Sequence, residues 1–330
     1  MKIAVAGGKT WGHVFPIISW LQKKPSEVEA IWIGNADSLE EQVAKDYNIS
    51  FAPINISISN KLSIPTSILK AIKIFKAQNV KGVFIKGGFV SFPALMAAKF
   101  LKIPFVGHES DAVAGKVSRW VHKLWGKLFC AFDGVVNWCQ KAWPLLNEEL
   151  LSWLESRQEV DNVDKDVSML SKTNVVVMGG SQGARRIFEG LAKILEDRNL
   201  ISMFDFKIIL GSANASLGKM FSKFDNIKIY NFLSQAQMGK IYDWADISIT
   251  RGGANSLFEQ SLFNIKKIII PLPFASQNHQ FFNALYFHQH EGDYLIEEMC
   301  SGKRICFKLC WSFVISKKIV IILRIRCKKK

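Results

Sequence analysis

Ile3-Ala4-Val5-Ala6-Gly7-Gly8-Lys9-Thr10-Trp11-Gly12-His13 and Val175-Val176-Val177-Met178-Gly179-Gly180-Ser181-Gln182-Gly183-Ala184 share one local pattern, a short β-branched or alanine-rich run breaking into a glycine-rich turn. A buried strand that feeds a turn open only to glycine, and then a helix, leaves the first N–H groups of that helix unpaired. Such a helix start is an anion site. One unit opens each half of the chain. This predicts an α/β protein of two doubly wound, Rossmann-like domains facing a cleft, with a phosphate-bearing ligand between them.

The rhythm around the two turns supports this. Strands are expected at Ile3–Ala6, Ala30–Ile33, Val83–Ile85 and Phe105–Gly107, with helices at Val14–Leu21, Leu39–Lys45 and Pro93–Leu101. Alternation of this kind makes a parallel sheet. Between Leu145 and Lys172 the apolar strands give way to Glu155, Arg157, Glu159, Asp161, Asp164, Lys165 and Asp166. Strands resume at Asn174–Met178, Phe206–Leu210, Ile227–Tyr230, Ile247–Thr250 and Lys267–Ile270. The expected organisation is a first domain over 1–150, a linker over 151–172, a second domain over 173–299 and a basic tail over 300–330.

The chain has 330 residues, 49% hydrophobic and 22% charged, enough to bury two cores. Its net charge of +15 is uneven: residues 300–330 hold ten Lys or Arg and no Asp or Glu, leaving +5 for the rest. A nucleic-acid role would therefore rest on the tail alone, and no nucleic-acid partner is expected. Within that tail, Val314–Leu323 is interrupted by Lys317-Lys318, well short of the ~20 apolar residues a spanning helix needs. The six cysteines show no paired metal spacing, and nothing at Met1 reads as a signal peptide, which points to a reducing cytoplasm. From Lys61 to Lys76, Leu62, Ile64, Ile68, Leu69, Ile72 and Phe75 alternate with Lys61, Lys70, Lys73 and Lys76. The stripe reads either as core packing or as a helix resting in a lipid interface.

Several side chains carry chemistry at these turns. Gly180, Ser181, Gln182 and Gly183 are candidates for a diphosphate; a G-X-G-X-X-G dinucleotide fingerprint needs a middle glycine, and Ser181 stands in its place. Glu259, expected at a helix beginning after Arg251-Gly252-Gly253, reads as a solvated helix charge or as an acceptor for ribose hydroxyls. Gln280 and Asn283, three apart on one helical face, are suited to sugar hydroxyls. His13 reads as a cap or as a base near neutral pH. His108, Glu109 and Asp111 form a polar cluster at a strand's carboxyl end, where open α/β sheets place ligands.

In order along residues 1 to about 290, the chain resembles the MurG family of bacterial glycosyltransferases. Thr10-Trp11-Gly12-His13-Val14-Phe15-Pro16, Gly87-Gly88-Phe89-Val90-Ser91-Phe92-Pro93 and His108–Gly115 are similar to that family's first-domain segments. Gly179–Arg185, Tyr242–Asp246, Arg251–Glu259 and Asn278-His279-Gln280 with Asn283-Ala284 are similar to those of the second. The resemblance implies transfer of N-acetylglucosamine from its UDP donor to the muramyl-pentapeptide of an undecaprenyl diphosphate, with inversion, in peptidoglycan synthesis. The one Asp-X-Asp run, Asp164-Lys165-Asp166, lies in the charged linker and not at the end of an expected strand, and fixed N–H groups are expected to hold the leaving diphosphate without a metal or other cofactor.

The family pattern then implies roles. His13 is the general base. Gly180, Ser181, Gln182, Gly183, Glu259, Gln280, Asn283 and Asp111 bind donor, with Glu259 on the uridine ribose and Asp111 standing where the family has asparagine at the donor sugar. Thr10, Gly12, His13, Gly87, Gly88, Ser91, His108 and Glu109 bind acceptor. A lipid-borne acceptor favours the interfacial reading of Lys70, Ile72, Lys73 and Phe75, aided by Trp120, Lys123, Trp125 and Lys127. The protein is then peripheral on the cytoplasmic face of the membrane, with an anionic lipid surface as partner.

Four features depart from the family. Lys9 is an insertion and Trp11 replaces a glycine; Phe92 replaces another; no Gly-Asn-Pro-Val-Arg segment occurs between Ala131 and Asn174; and the sequence after about Glu291 reads as lacking the final strand and returning helices, like a shifted reading frame or a decayed end. Two alternatives follow: an enzyme that hydrolyses or epimerises UDP-N-acetylglucosamine without lipid, or a nucleotide-sugar-binding homologue that no longer catalyses transfer.

Overall fold

The computed structural model describes residues 1–8, 10–57, 59–60, 62–158, 172–180, 184–196, 202–301 and 304–309. The chain divides into two compact units, Met1–Glu148 and Glu149–Lys330. In the first, strands β1 (Lys2–Ala6), β2 (Glu29–Gly34), β3 (Ser50–Pro53), β4 (Gly82–Ile85), β5 (Phe105–Glu109), β6 (Lys127–Cys130) and β7 (Gln140–Lys141) form one sheet in the order β3-β2-β1-β4-β5-β6-β7. Every neighbouring pair is parallel. Helices α1 (Trp11–Gln22), α2 (Leu39–Asp46), α3 (Ser63–Ala77), α4 (Phe92–Phe100) and α5 (Lys116–Lys123) make the crossovers. The order reverses between β1 and β4, so their carboxyl ends form the switch point where such sheets bind ligands.

Burial dictates this arrangement. Ala4, Val5 and Ala6 are wholly buried because β1 is covered on both faces, as a central parallel strand must be. The Trp32 indole is also buried and its Nε1 donates to Gly7 O at 3.0 Å, fixing where β1 ends and the first turn starts. On α3, Ser67, Ala71 and Phe75 face the core, with Ile72 and Ile74 packed beside them. Phe75 is 1% exposed, which corrects its expected place on a lipid-facing surface. The apolar residues turned outward near Lys70 and Lys73 are Leu62 and Leu69, 81% and 59% exposed. Cys130 and Cys139 are joined in a disulfide with Cα atoms 5.9 Å apart, which differs from the expectation of reduced cysteines.

The second unit repeats the topology. Strands β8 (Thr173–Met178), β9 (Phe204–Ile209), β10 (Ile227–Tyr230), β11 (Ile247–Thr250), β12 (Lys266–Ile269), β13 (Tyr294–Ser301) and β14 (Arg304–Leu309) run in the order β10-β9-β8-β11-β12-β13-β14, and only β14 is antiparallel to its neighbour. Helices α6 (Glu148–Gln158), α7 (Arg185–Ile194), α8 (Gln235–Trp244), α9 (Ala254–Leu262) and α10 (His279–Glu291) accompany them. Two expectations differ here. The charged connection is helical over Glu148–Gln158, because Leu150 joins the second core and Trp153 fills the space beside Gly239. The segment after Glu291 does form strands, β13 and β14; residues 310–330, with Val314–Leu323, lie outside the described residues. No helix among the described residues is long and apolar enough to cross a membrane.

Gly252 is the tightest point of this unit, since a Cβ there would overlap the backbone carbonyl of Gln280. Backbone cannot step aside as a flexible side chain can. Gly252→Ala is expected to lower stability by about 1–3 kcal/mol, read by thermal denaturation; an unchanged midpoint would contradict the packing of α10 on this loop.

Candidate functional site

In the first unit the two glycine turns lie side by side at the switch point. Gly87 and Gly88 have φ of 90° and 75°, the left-handed region that glycine enters without strain. A Cβ on Gly88 would stand 3.2 Å from Gly8 O and 3.4 Å from His13 Nδ1. Gly8 is equally confined, its missing Cβ replaced by the buried Glu40 carboxylate, whose Oε2 would lie 2.6 Å away. Glu40 was not singled out from sequence, because its partner Gly8 is 32 residues earlier.

His13 occupies the third position of α1, after Thr10 as N-cap. Its Nδ1 lies 3.1 Å from Gly8 O and 3.2 Å from Thr10 Oγ1. A carbonyl oxygen only accepts, so Nδ1 carries the hydrogen and Nε2 carries the lone pair, the tautomer a general base needs. Gly12 is exposed and Thr10 half-buried beside it. Trp11, the departure from the family glycine, stacks on Phe15 with centroids 4.8 Å apart and stays 37% exposed. Phe92, the other departure, stacks on Phe89 and meets Trp120 edge-on.

The remaining polar residues of this unit are largely engaged within it. Ser91 is buried and donates to Gly88 O at 2.8 Å, closing the second turn. His108 is buried with Nε2 3.4 Å from Trp143 O, and burial, then the Lys86 charge, hold its pKa well below the usual value, so it is neutral. Glu109 accepts from Gly115 N at 2.8 Å, Ser118 Oγ at 2.7 Å and Asp111 N at 3.1 Å. It caps the start of α5, and burial, then the Asp111 charge, push its carboxyl up. Lys86, overlooked in sequence between β4 and Gly87, is buried and donates to Ser110 Oγ at 2.6 Å; burial lowers its pKa to about 8 against the pull of Glu109 and Asp111.

In the second unit the corresponding turn begins at Gly179. Gly180 has φ 67° and open space where a Cβ would be, while Ser181, Gln182 and Gly183 lie outside the described residues. Arg251, at the end of β11, donates through Nη1 to Ile270 O at 3.1 Å and to Glu298 Oε2 at 2.8 Å. Glu298 also accepts from Arg186 Nη1 at 2.7 Å, so a carboxylate of β13 ties α7 to β11. Gln280 Oε1 accepts from Leu272 N at 2.9 Å, and the wholly buried Asn283 donates to Gly252 O at 2.9 Å. Both amides thus hold the loops that flank Gly252 and Gly253.

Glu259 stands in the second turn of α9, past the helix beginning where it was expected. It is half-buried, and Tyr242 Oη at 3.2 Å is its one hydrogen-bond donor among the described residues. No Lys, Arg or His of the described residues pairs with it. Burial pushes its carboxyl up to about 7, the Tyr242 hydrogen bond pulling the other way. A desolvated carboxylate with one donor and no cation is set to receive hydroxyl donors rather than an anion. Because its folded pKa lies above its unfolded value, its contribution is intact at low pH and is lost as pH rises through about 7. Thermal melts of Glu259→Gln against the parent are therefore expected to shift in favour of Gln between pH 5 and pH 8; a pH-independent difference would contradict the raised pKa.

Residues 3–129 match the glycosyltransferase family 28 N-terminal domain and residues 174–309 its C-terminal domain. The second match includes β13 and β14, again at odds with a sequence that departs from the family after Glu291. A UDP-N-acetylglucosamine--N-acetylmuramyl-(pentapeptide) pyrophosphoryl-undecaprenol N-acetylglucosamine transferase of Pseudoalteromonas translucida is 31% identical over 304 residues, covering 86% of this chain and 81% of that protein. Its namesake in Haemophilus ducreyi is 28% identical over 297 residues, covering 86% and 82%. The crystal structure of Acinetobacter baumannii MurG superposes with a TM-score of 0.71 at 23% identity, over 90% of this chain and 85% of that one. A UDP-GlcNAc 2-epimerase from Neisseria meningitidis shares the fold at a TM-score of 0.54 and 15% identity, over 88% and 92%. Two doubly wound units, each ending a central strand in a glycine turn, together with both domain matches and these relatives, place the chain in glycosyltransferase family 28, among the MurG enzymes.

Proposed function

We propose that this chain transfers N-acetylglucosamine from UDP-N-acetylglucosamine to the muramyl-pentapeptide of an undecaprenyl diphosphate, a step of peptidoglycan synthesis. The observation that carries the reading is His13 Nδ1 3.1 Å from Gly8 O, with the ring between two glycine turns. The acceptor hydroxyl attacks the anomeric carbon from the face opposite the leaving group and its proton passes to His13 Nε2. The bond from that carbon to the diphosphate oxygen breaks, and the electron pair leaves with UDP. One bond forms as one breaks, so the configuration inverts.

Charge grows on the departing diphosphate, and the glycine-rich segment Gly180, Ser181, Gln182 and Gly183 keeps the diphosphate-binding role that its sequence implies. Glu259 takes the ribose hydroxyls. Gln280 meets the donor sugar, Asn283 acts by fixing Gly252, and Asp111 keeps the donor-sugar role implied by its segment. On the acceptor side Thr10, Gly12, Gly87 and Gly88 surround the diphosphate. Ser91, His108 and Glu109 act from behind, by shaping the second turn and the start of α5.

The acceptor's polyprenyl chain requires a lipid surface, and we assign docking to Lys70 and Lys73 with the outward Leu62, Leu69, Trp120 and Trp125, the last two 43% and 90% exposed. Ile72 and Phe75 support this face from below. It places the protein peripherally on the cytoplasmic side of the cell membrane.

In a transfer assay with the UDP donor and a short-chain lipid acceptor, His13→Ala is expected to cut kcat by about 10²–10⁴ with donor KM unchanged. Glu259→Ala is expected to raise donor KM. Release of free N-acetylglucosamine without transfer would contradict the reading. Sedimentation with phosphatidylglycerol vesicles is expected to fall about fivefold or more for Lys70→Gln with Lys73→Gln; equal binding to neutral vesicles would overturn the docking face.

A further inference from the structure

Tyr242 lies on α8, 17 residues before Glu259 on α9, and is 1% exposed. Its hydroxyl lies within reach of two groups. Glu259 Oε2 is 3.2 Å away and Met178 Sδ, the last side chain of β8 before the glycine turn, is 3.7 Å away. The Gln260 amide also donates to Met178 Sδ at 3.3 Å, while its Oε1 accepts from Ser248 Oγ of β11 at 2.5 Å. Ser248, Gln260 and Tyr242 are all buried.

A phenol has one hydrogen to give, and a carboxylate is the strongest acceptor within its reach. The chain therefore reads in one direction: Ser248 donates to Gln260, the Gln260 amide donates to the Met178 sulfur beside the phenol, and Tyr242 donates to Glu259. Bonds aligned head to tail polarise one another. Burial and the neighbouring carboxylate raise the phenol's pKa well above its usual range, so it stays protonated and a donor throughout the working pH range.

We propose that Tyr242 is a positioning residue for nucleotide binding, holding one oxygen of Glu259 so that the carboxylate presents its remaining lone pairs to the two hydroxyls of a ribose. The proposal rests on the donor-site reading above. A glutamate has three side-chain torsions, and binding a diol by both oxygens requires one arrangement of them. Tyr242 fixes that arrangement before the ligand arrives. The Met178 contact couples it to the end of β8, where the diphosphate turn begins.

The test is calorimetric titration of the full chain with UDP and with 2′,3′-dideoxy-UDP, for the parent, Tyr242→Phe, Glu259→Gln and the double variant. Phenylalanine keeps the ring in the core and removes only the hydroxyl. Tyr242→Phe is expected to weaken UDP about tenfold, in line with loss of one hydrogen bond to a charged group. It should change the dideoxy analogue less than twofold and add nothing in the Glu259→Gln background. Unchanged UDP affinity in Tyr242→Phe, or equal loss for both nucleotides, overturns the proposal, the second outcome marking a merely structural tyrosine. A parent chain that binds UDP and its dideoxy analogue equally, or binds neither, overturns the ribose role of Glu259 itself.

Discussion

The arrangement depends on what happens where a buried parallel strand stops. At the ends of β1, β4 and β8 the chain turns through glycine because there is no room, or no allowed φ, for anything larger. Gly8 gives its side-chain space to the Glu40 carboxylate, and Gly87 and Gly88 take positive φ beneath the His13 ring. Backbone N–H groups and one imidazole are left facing the ligand side of the sheet. The proton removal and leaving-group stabilisation proposed above both rest on those turns.

Around them, burial sets the electrostatics. Glu259 has no cation among the described residues and its carboxyl is pushed up to about 7, which suits it to neutral hydroxyl donors. Glu298 is the opposite case, buried between Arg186 and Arg251 and thereby held in a structural role. Lys86, Glu109 and Ser110 form a third group that braces the ends of β4 and β5. Two buried carboxylates and one half-buried one thus differ in surroundings according to their partners.

Much of the fold was legible because central parallel strands are continuous apolar runs: Val175-Val176-Val177-Met178 and Ile247-Ser248-Ile249-Thr250 show themselves by composition. Edge strands do not. Gln140–Lys141 has no apolar residue, and β13 with β14 runs into the basic, cysteine-rich stretch whose composition reads as a shifted frame or decayed end. The helix Glu148–Gln158 was hidden by its charged face, although Leu150 and Trp153 anchor it. Among the site residues, His13, Glu259 and the glycines are local motifs and could be read directly. Lys86 with Ser110, Gly8 with Glu40, and Tyr242 with Glu259 depend on separations of 24, 32 and 17 residues, which only the folded chain brings together. Phe75 shows the reverse limit, since an apolar stripe beside lysines looks the same in sequence whether it faces lipid or core.

The central claim is that the second unit grips the nucleotide through a glycine turn and a single desolvated carboxylate. A crystal structure of the chain soaked with UDP tests it most directly. The account predicts ribose hydroxyls on Glu259 and the diphosphate over the turn that follows Met178; UDP seated instead on the His13 turn, or away from Glu259, would contradict it.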